Sequence, residues 1–217
     1  MVEALIWDAG GTIFDTYPAV VAACQTVLES LGHDASSDWL TGLFRTTTAY
    51  ALRTVALTYG VPVEEFATLY EAAYDRVDPA LQPPFPHVVD VCGCIAEAGG
   101  RSFIVTHRGE ASLVRLLEAH GMTQYFGDWI TAEDQLPRKP DPTSLQVLMA
   151  RHKLVASRCL VIGDRDLDIV AGRRAGVLTC YFGAESHPTQ ADFEIAGYDE
   201  LLRWLGCDPP GTRDSRI

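Results

Sequence analysis

The most constraining feature of this 217-residue chain is a short apolar run that stops on a carboxylate and a pair of glycines, Ile6-Trp7-Asp8-Ala9-Gly10-Gly11-Thr12. A run that is apolar on both faces and bounded by glycines suits the centre of a parallel sheet, whose two faces are both covered. Reactive groups in such sheets collect at the carboxyl ends of strands, and Asp8 stands at one. The rest of the chain has to supply the neighbouring strands and the helices that cover them.

It supplies them in two styles. From Pro18 to about Tyr59 and again from Val63 to Val77 the apolar residues recur at helical spacing. Examples are Val20, Cys24, Val27 and Leu28, then Leu40, Leu43, Phe44, Ala51 and Val55, then Phe66, Tyr70 and Val77. These stripes predict three helices, over 18–31, 38–59 and 63–77, that share a core. The proline-rich stretch from Asp78 to Pro86 breaks the period. Beyond it helices and short strands alternate. Helices are expected over 88–98, 110–120, from 142, over 169–175 and 198–205, and strands over 102–106, 129–131, 159–162 and 178–182. Alternation of this kind implies an α/β fold, a parallel sheet with helices on both faces. The expected organisation is an α/β core over 1–15 and 86–205, a small all-helical cap over 16–85, and a flexible C-terminal tail over 206–217.

Bulk properties narrow the partners. A formal net charge of -12 argues against nucleic acid and against an anionic membrane surface, both of which call for a basic face. It leaves room for a small phosphorylated metabolite, because a few cations and a divalent metal can dominate the potential within a cleft. The six cysteines lie mostly in apolar runs and read as small buried hydrophobes, and Cys92 and Cys94 do not share a helix face. No secretory signal or membrane-spanning run is expected, and the default compartment is the cytoplasm.

Four strand ends carry chemistry: Asp8, Thr106-His107-Arg108, Lys139 before Pro140, and Gly163-Asp164-Arg165-Asp166-Leu167-Asp168. In a parallel sheet they converge on one edge, which brings together a nucleophile, a hydroxyl, a cation and a carboxylate cluster. That set suits phosphoryl transfer, with Asp8 attacking phosphorus to give an aspartyl-phosphate. Hard oxygens from Asp8 and Asp164 suit Mg²⁺. Lys139, the Thr106 hydroxyl and backbone N–H groups of the Gly10-Gly11-Thr12 turn would hold the phosphoryl oxygens.

On four motifs the chain resembles the haloacid dehalogenase superfamily: D-A-G-G-T at 8–12, I-V-T-H at 104–107, K-P at 139–140 and V-I-G-D-R-D-L-D at 161–168. The resemblance implies a Rossmann-like core with a helical cap inserted between the first two motifs. It also implies a nucleophile at Asp8, a phosphate contact at Thr106 and a charge-balancing Lys139. Mg²⁺ is implied on Asp8, the main-chain carbonyl of Gly10 and Asp164, with Asp168 nearby. Arg108, Arg165 and His107 are further candidates for the phosphate, on their positions next to these motifs.

The departure from that pattern is the side chain of residue 10. The family's phosphatases carry an Asp there as general acid–base, a role worth ~10²–10⁴ in rate. Gly10 retains the carbonyl and lacks the acid, and neither Ala9 nor Gly11 replaces it. His107 is the nearest titratable candidate. Dehalogenases of the superfamily also lack this Asp, which offers attack of Asp8 on carbon as an alternative, but a carboxylate cluster has no obvious task there. Phosphonate-cleaving relatives use a cap lysine, and residues 16–85 contain none. In the cap, Thr46, Tyr50 and Arg53 fall on one face of the helix expected over 38–59, with Arg45 adjacent. The reading is an Mg²⁺-dependent phosphatase whose cap closes over the cleft. A regulatory protein that binds phosphate with little turnover is the second reading, and a haloacid dehalogenase the third.

Overall fold

All four residues of the first strand, Ala4–Trp7 (β1), are buried, and they sit in the interior of a six-stranded sheet. The computed structural model describes residues 2–183 and 190–209. Its other strands are Arg101–Val105 (β2), Phe126–Ile130 (β3), Cys159–Gly163 (β4), Leu178–Phe182 (β5) and Phe193–Ile195 (β6). All pairings are parallel, in the order β3-β2-β1-β4-β5-β6. The order reverses between β1 and β4, where an open α/β sheet leaves a crevice at its carboxyl edge.

Period-two alternation sorts the strand side chains onto two faces. Leu5, Trp7, Ile104, Leu160 and Ile162 enter one apolar layer with Val88–Glu97 (α5), Glu110–Ala119 (α6) and Tyr198–Leu205 (α9). Ala4, Ile6, Phe103, Val105, Cys159 and Val161 enter another with Thr143–His152 (α7) and Asp166–Ala175 (α8). Both faces are therefore covered, which is why these strands read as continuous apolar runs.

Residues Asp15–Pro83 form a separate compact unit. It holds Tyr17–Ser30 (α1), Ser37–Thr46 (α2), Thr48–Tyr59 (α3) and Val63–Tyr74 (α4) around a core that includes Cys24, Leu28, Leu40, Phe44, Val55 and Phe66. The single helix expected over 38–59 is thus two. Thr47 is extended, and its hydroxyl accepts the Tyr50 N–H, so the residue ends one helix and caps the next. The break also takes Thr46 off the helix that carries Tyr50 and Arg53.

Three other expectations need correction. The strand β6 carries no signal in the sequence because three residues are too few to show a period. Its place is set by tertiary bonds, among them Asp192 accepting from the Thr179 backbone and hydroxyl. Cys94 and Cys207 are joined by a disulfide that ties α5 to the end of α9, while Cys24, Cys92, Cys159 and Cys180 are free and buried as expected. The disulfide also fixes residue 207, so the tail expected over 206–217 is anchored at its start, and residues 210–217 lie outside the described part. No described helix is long and apolar enough to cross a membrane.

Candidate active site

Asp8 follows β1 directly, and its N–H donates to Ile162 O at the end of β4 across the switch in strand order. The turn after it is built by backbone bonds: Ile13 and Phe14 N–H donate to Ala9 O, and Gly11 N–H donates to Phe14 O. Gly11 has φ +82°, a left-handed conformation that glycine adopts without strain. Its N–H is spent inside the turn, so Gly11 shapes the turn and its expected role as a phosphate donor has no support. Thr12 closes the arrangement. Its hydroxyl donates to Asp164 Oδ1 at 3.1 Å, and its carbonyl accepts the buried Tyr198 hydroxyl at 2.7 Å.

Lys139 is the centre of the site. Its ammonium lies 2.7 Å from Asp8 Oδ1 and 2.6 Å from Asp168 Oδ1 and donates to Val105 O at 2.8 Å, all within the protein interior. Burial alone would raise the Asp8 carboxyl, yet Lys139 and Arg165 beside it hold it below the usual carboxylate range. Burial would likewise lower Lys139, and Asp168 and Asp8 outweigh it and raise the ammonium above its ordinary value. Asp168 is fully buried and raised, because burial there exceeds the pull of Lys139. Asp8 and Lys139 are 131 positions apart in sequence and meet only in the folded chain.

Asp164 and Asp168 are delivered by the β4–α8 junction. A side chain at Gly163 would collide with that of Asp168, so the strand can end there only on glycine. Asp166 and Asp168 sit in the first turn of α8, where carboxylates complement the helix dipole. Arg165, extended at the helix start, places Nη2 3.5 Å from Asp8 Oδ2.

His107 differs from its expected role. Its Nε2 accepts the backbone N–H of Lys139 at 2.9 Å, which puts the ring proton on Nδ1. Burial, followed by the nearby Lys139 charge, drives its pKa down to about 3, so the ring is uncharged at neutral pH. His107 thus positions Lys139 and carries no ionised proton to donate. Thr106 is buried with its hydroxyl accepting the Arg108 N–H, and the Arg108 guanidinium donates to Ser112 on α6. The structure therefore brings Asp8, Lys139, Asp164, Arg165 and Asp168 together, with Thr106 and His107 on the adjoining strand end. Tyr198, which sequence reasoning passed over, steadies the turn that holds Thr12.

The carboxylate cluster fits a divalent cation. Asp8, Asp164 and Asp168 can each offer an oxygen within 4.8 Å of the others. Asp8 Oδ2 and Asp168 Oδ2 are buried and accept no hydrogen bond from the described residues. Hard, unsatisfied carboxylate oxygens of this kind suit Mg²⁺.

The chain belongs to the haloacid dehalogenase-like hydrolase family, whose model matches residues 5–182. It is 26% identical over 216 residues to a phosphoglycolate phosphatase of Vibrio parahaemolyticus, covering 93% of this chain and 95% of that protein. It is 29% identical over 183 residues to phosphoglycolate phosphatase 1 of Pseudomonas aeruginosa, covering 80% and 66%. Among solved structures, a hydrolase from Streptococcus pneumoniae superposes with a TM-score of 0.63 at 29% identity over 94% of this chain and 98% of that one. A HAD-superfamily hydrolase from Geobacter sulfurreducens shares the fold, with a TM-score of 0.75 at 21% identity over 94% and 97%.

Proposed function

We propose that this chain is an Mg²⁺-dependent phosphatase that hydrolyses a small phosphorylated metabolite through an aspartyl-phosphate on Asp8. The observation that carries the reading is the buried Lys139 ammonium on Asp8 Oδ1, which keeps a carboxylate ionised at the carboxyl edge of the sheet beside two further carboxylates. An ionised carboxylate is the form able to attack phosphorus. The phosphoglycolate phosphatases among the relatives favour a substrate that is a phosphate monoester of a small carboxylic acid.

Asp8, Asp164 and the Gly10 carbonyl would hold the ion, with Asp168 behind them. Bound there, Mg²⁺ supplies charge neutralisation and polarises a phosphoryl oxygen. Asp8 forms the new P–O bond as the bond to the leaving oxygen breaks. Water then attacks the same phosphorus, releasing phosphate and regenerating the Asp8 carboxylate. Lys139 balances charge on Asp8 in both steps, and the Thr106 hydroxyl and Arg165 are the candidate contacts for the phosphoryl oxygens. The helical unit Asp15–Pro83 is the candidate determinant of substrate choice.

Gly10 favours one other reading, a metal- and phosphate-binding protein with little turnover, because no carboxylic acid at residue 10 protonates the leaving group. Hydrolysis of an acyl phosphate, an aryl phosphate and 2-phosphoglycolate, each with and without Mg²⁺, separates the two. The enzyme gives metal-dependent phosphate release that Asp8→Asn abolishes, and the alkyl ester is the slowest. If no ester is cleaved while inorganic phosphate with Mg²⁺ still raises the melting temperature, the binding reading replaces it. Metal-independent halide release from a haloacid would overturn both.

A further inference from the structure

Two cations divide the oxygens of the buried carboxylates between them. Lys139 takes Oδ1 of Asp8 and Oδ1 of Asp168, at 2.7 and 2.6 Å. Arg165 faces the other pair, with Nη2 3.5 Å from Asp8 Oδ2 and Nε 3.9 Å from Asp168 Oδ2. Its Nε is also 3.9 Å from Asp164 Oδ1, so one guanidinium addresses all three carboxylates while its side chain is only 15% exposed. These are ion-pair distances that have not tightened into hydrogen bonds, since Asp8 Oδ2 and Asp168 Oδ2 accept none from the described residues.

The oxygens Arg165 faces belong to the same three side chains that fit a divalent cation. Lys139, on the opposite oxygens, is compatible with such an ion. A guanidinium on the Oδ2 side is not, because two cations cannot share these oxygens at contact distance without strong repulsion in a poorly solvated site. We propose that Arg165 is a built-in counter-ion of this cluster that competes with the divalent cation, so the affinity for metal is set by the cost of displacing the guanidinium. This rests on the reading that Asp8 and Asp164 hold Mg²⁺.

The competition has a structural rationale. Three carboxylates with Lys139 alone leave two uncompensated negative charges in the interior, and Arg165 reduces that to one. The metal-free protein is thereby stabilised, and whatever stabilises the metal-free form lowers the apparent affinity for the metal by the same factor.

The test is isothermal titration of Mg²⁺ into wild type, Arg165→Ala and Arg165→Lys, with melting temperatures in chelator and in saturating Mg²⁺. Arg165→Ala is expected to bind Mg²⁺ about tenfold more tightly than wild type and to show a larger metal-induced rise in melting temperature. Arg165→Lys, which keeps the charge without the planar fork, should fall between them and guards against a fold defect in the alanine variant. Equal or weaker binding by Arg165→Ala, with wild type still binding, overturns the competition and leaves the metal site standing. Failure of all three proteins to bind Mg²⁺ overturns the metal site and the competition together.

Discussion

Lys139 Nζ donates to Asp8 Oδ1 across 2.7 Å with both side chains almost wholly shielded from water. The pair is a desolvated ion pair, and its worth is seen when one partner is removed. Replacing Lys139 with Met leaves Asp8 and Asp168 without their shared cation, and breaking a buried pair in this way costs ~3–5 kcal/mol. Urea unfolding of Lys139→Met at pH 7 should show a loss of that order together with loss of phosphatase activity. A stability change within error would mean that Asp8 and Asp168 are compensated by something other than Lys139.

The neutral His107 gives a pH signature. Its folded pKa is depressed to about 3 from an ordinary 6.5, so between those values the unfolded chain binds a proton that the folded chain does not. Stability from this group is present above about pH 6.5 and is lost as pH falls towards 3. His107→Gln keeps an acceptor for the Lys139 N–H and removes the titration. The slope of unfolding free energy against pH in that window should flatten by up to one proton, and an unchanged slope would show that His107 ionises freely in the folded protein.

Residue 10 tests acid–base chemistry directly. With the carbonyl kept and a carboxyl added, Gly10→Asp should raise alkyl-phosphate turnover by up to ~10²-fold while leaving acyl-phosphate turnover nearly unchanged. Equal gains on both substrates would point to an effect on binding instead of on the leaving group.

The Cys94–Cys207 bond predicts a thiol count. Protein unfolded without reductant should expose four reactive thiols, and six after reduction. Because the bond closes a long loop, reduction should also lower stability by about 2–4 kcal/mol. Six thiols before reduction would show that the two cysteines are unpaired in solution.

Much of this was legible in the chain itself. β1, β2, β4 and β5 announce themselves as apolar runs because both faces of the sheet are covered, and Asp8 and Asp164 follow from their places directly after β1 and β4, whereas Lys139, expected at a strand end, lies in the loop between β3 and α7. What the sequence withheld depends on contacts between distant residues. The helix break at Thr47 hides inside a threonine run whose apolar period continues across it. The cysteine pair is separated by 113 residues. The neutrality of His107 comes from its burial and from the Lys139 charge of another motif, and the division of carboxylate oxygens between Lys139 and Arg165 exists only once β1, β4 and α8 meet. Arg108, two residues after Thr106, reaches Ser112 on α6, since beyond the end of β2 the chain has already turned.

The nucleophile is tested most directly by acid-quenching the enzyme during turnover of an acyl or aryl phosphate with Mg²⁺ and weighing its peptides. The peptide carrying Asp8 should gain the mass of one phosphoryl group, and the gain should vanish in Asp8→Asn. Turnover with Asp8 unmodified and the phosphoryl group on another residue would contradict an aspartyl-phosphate at this position.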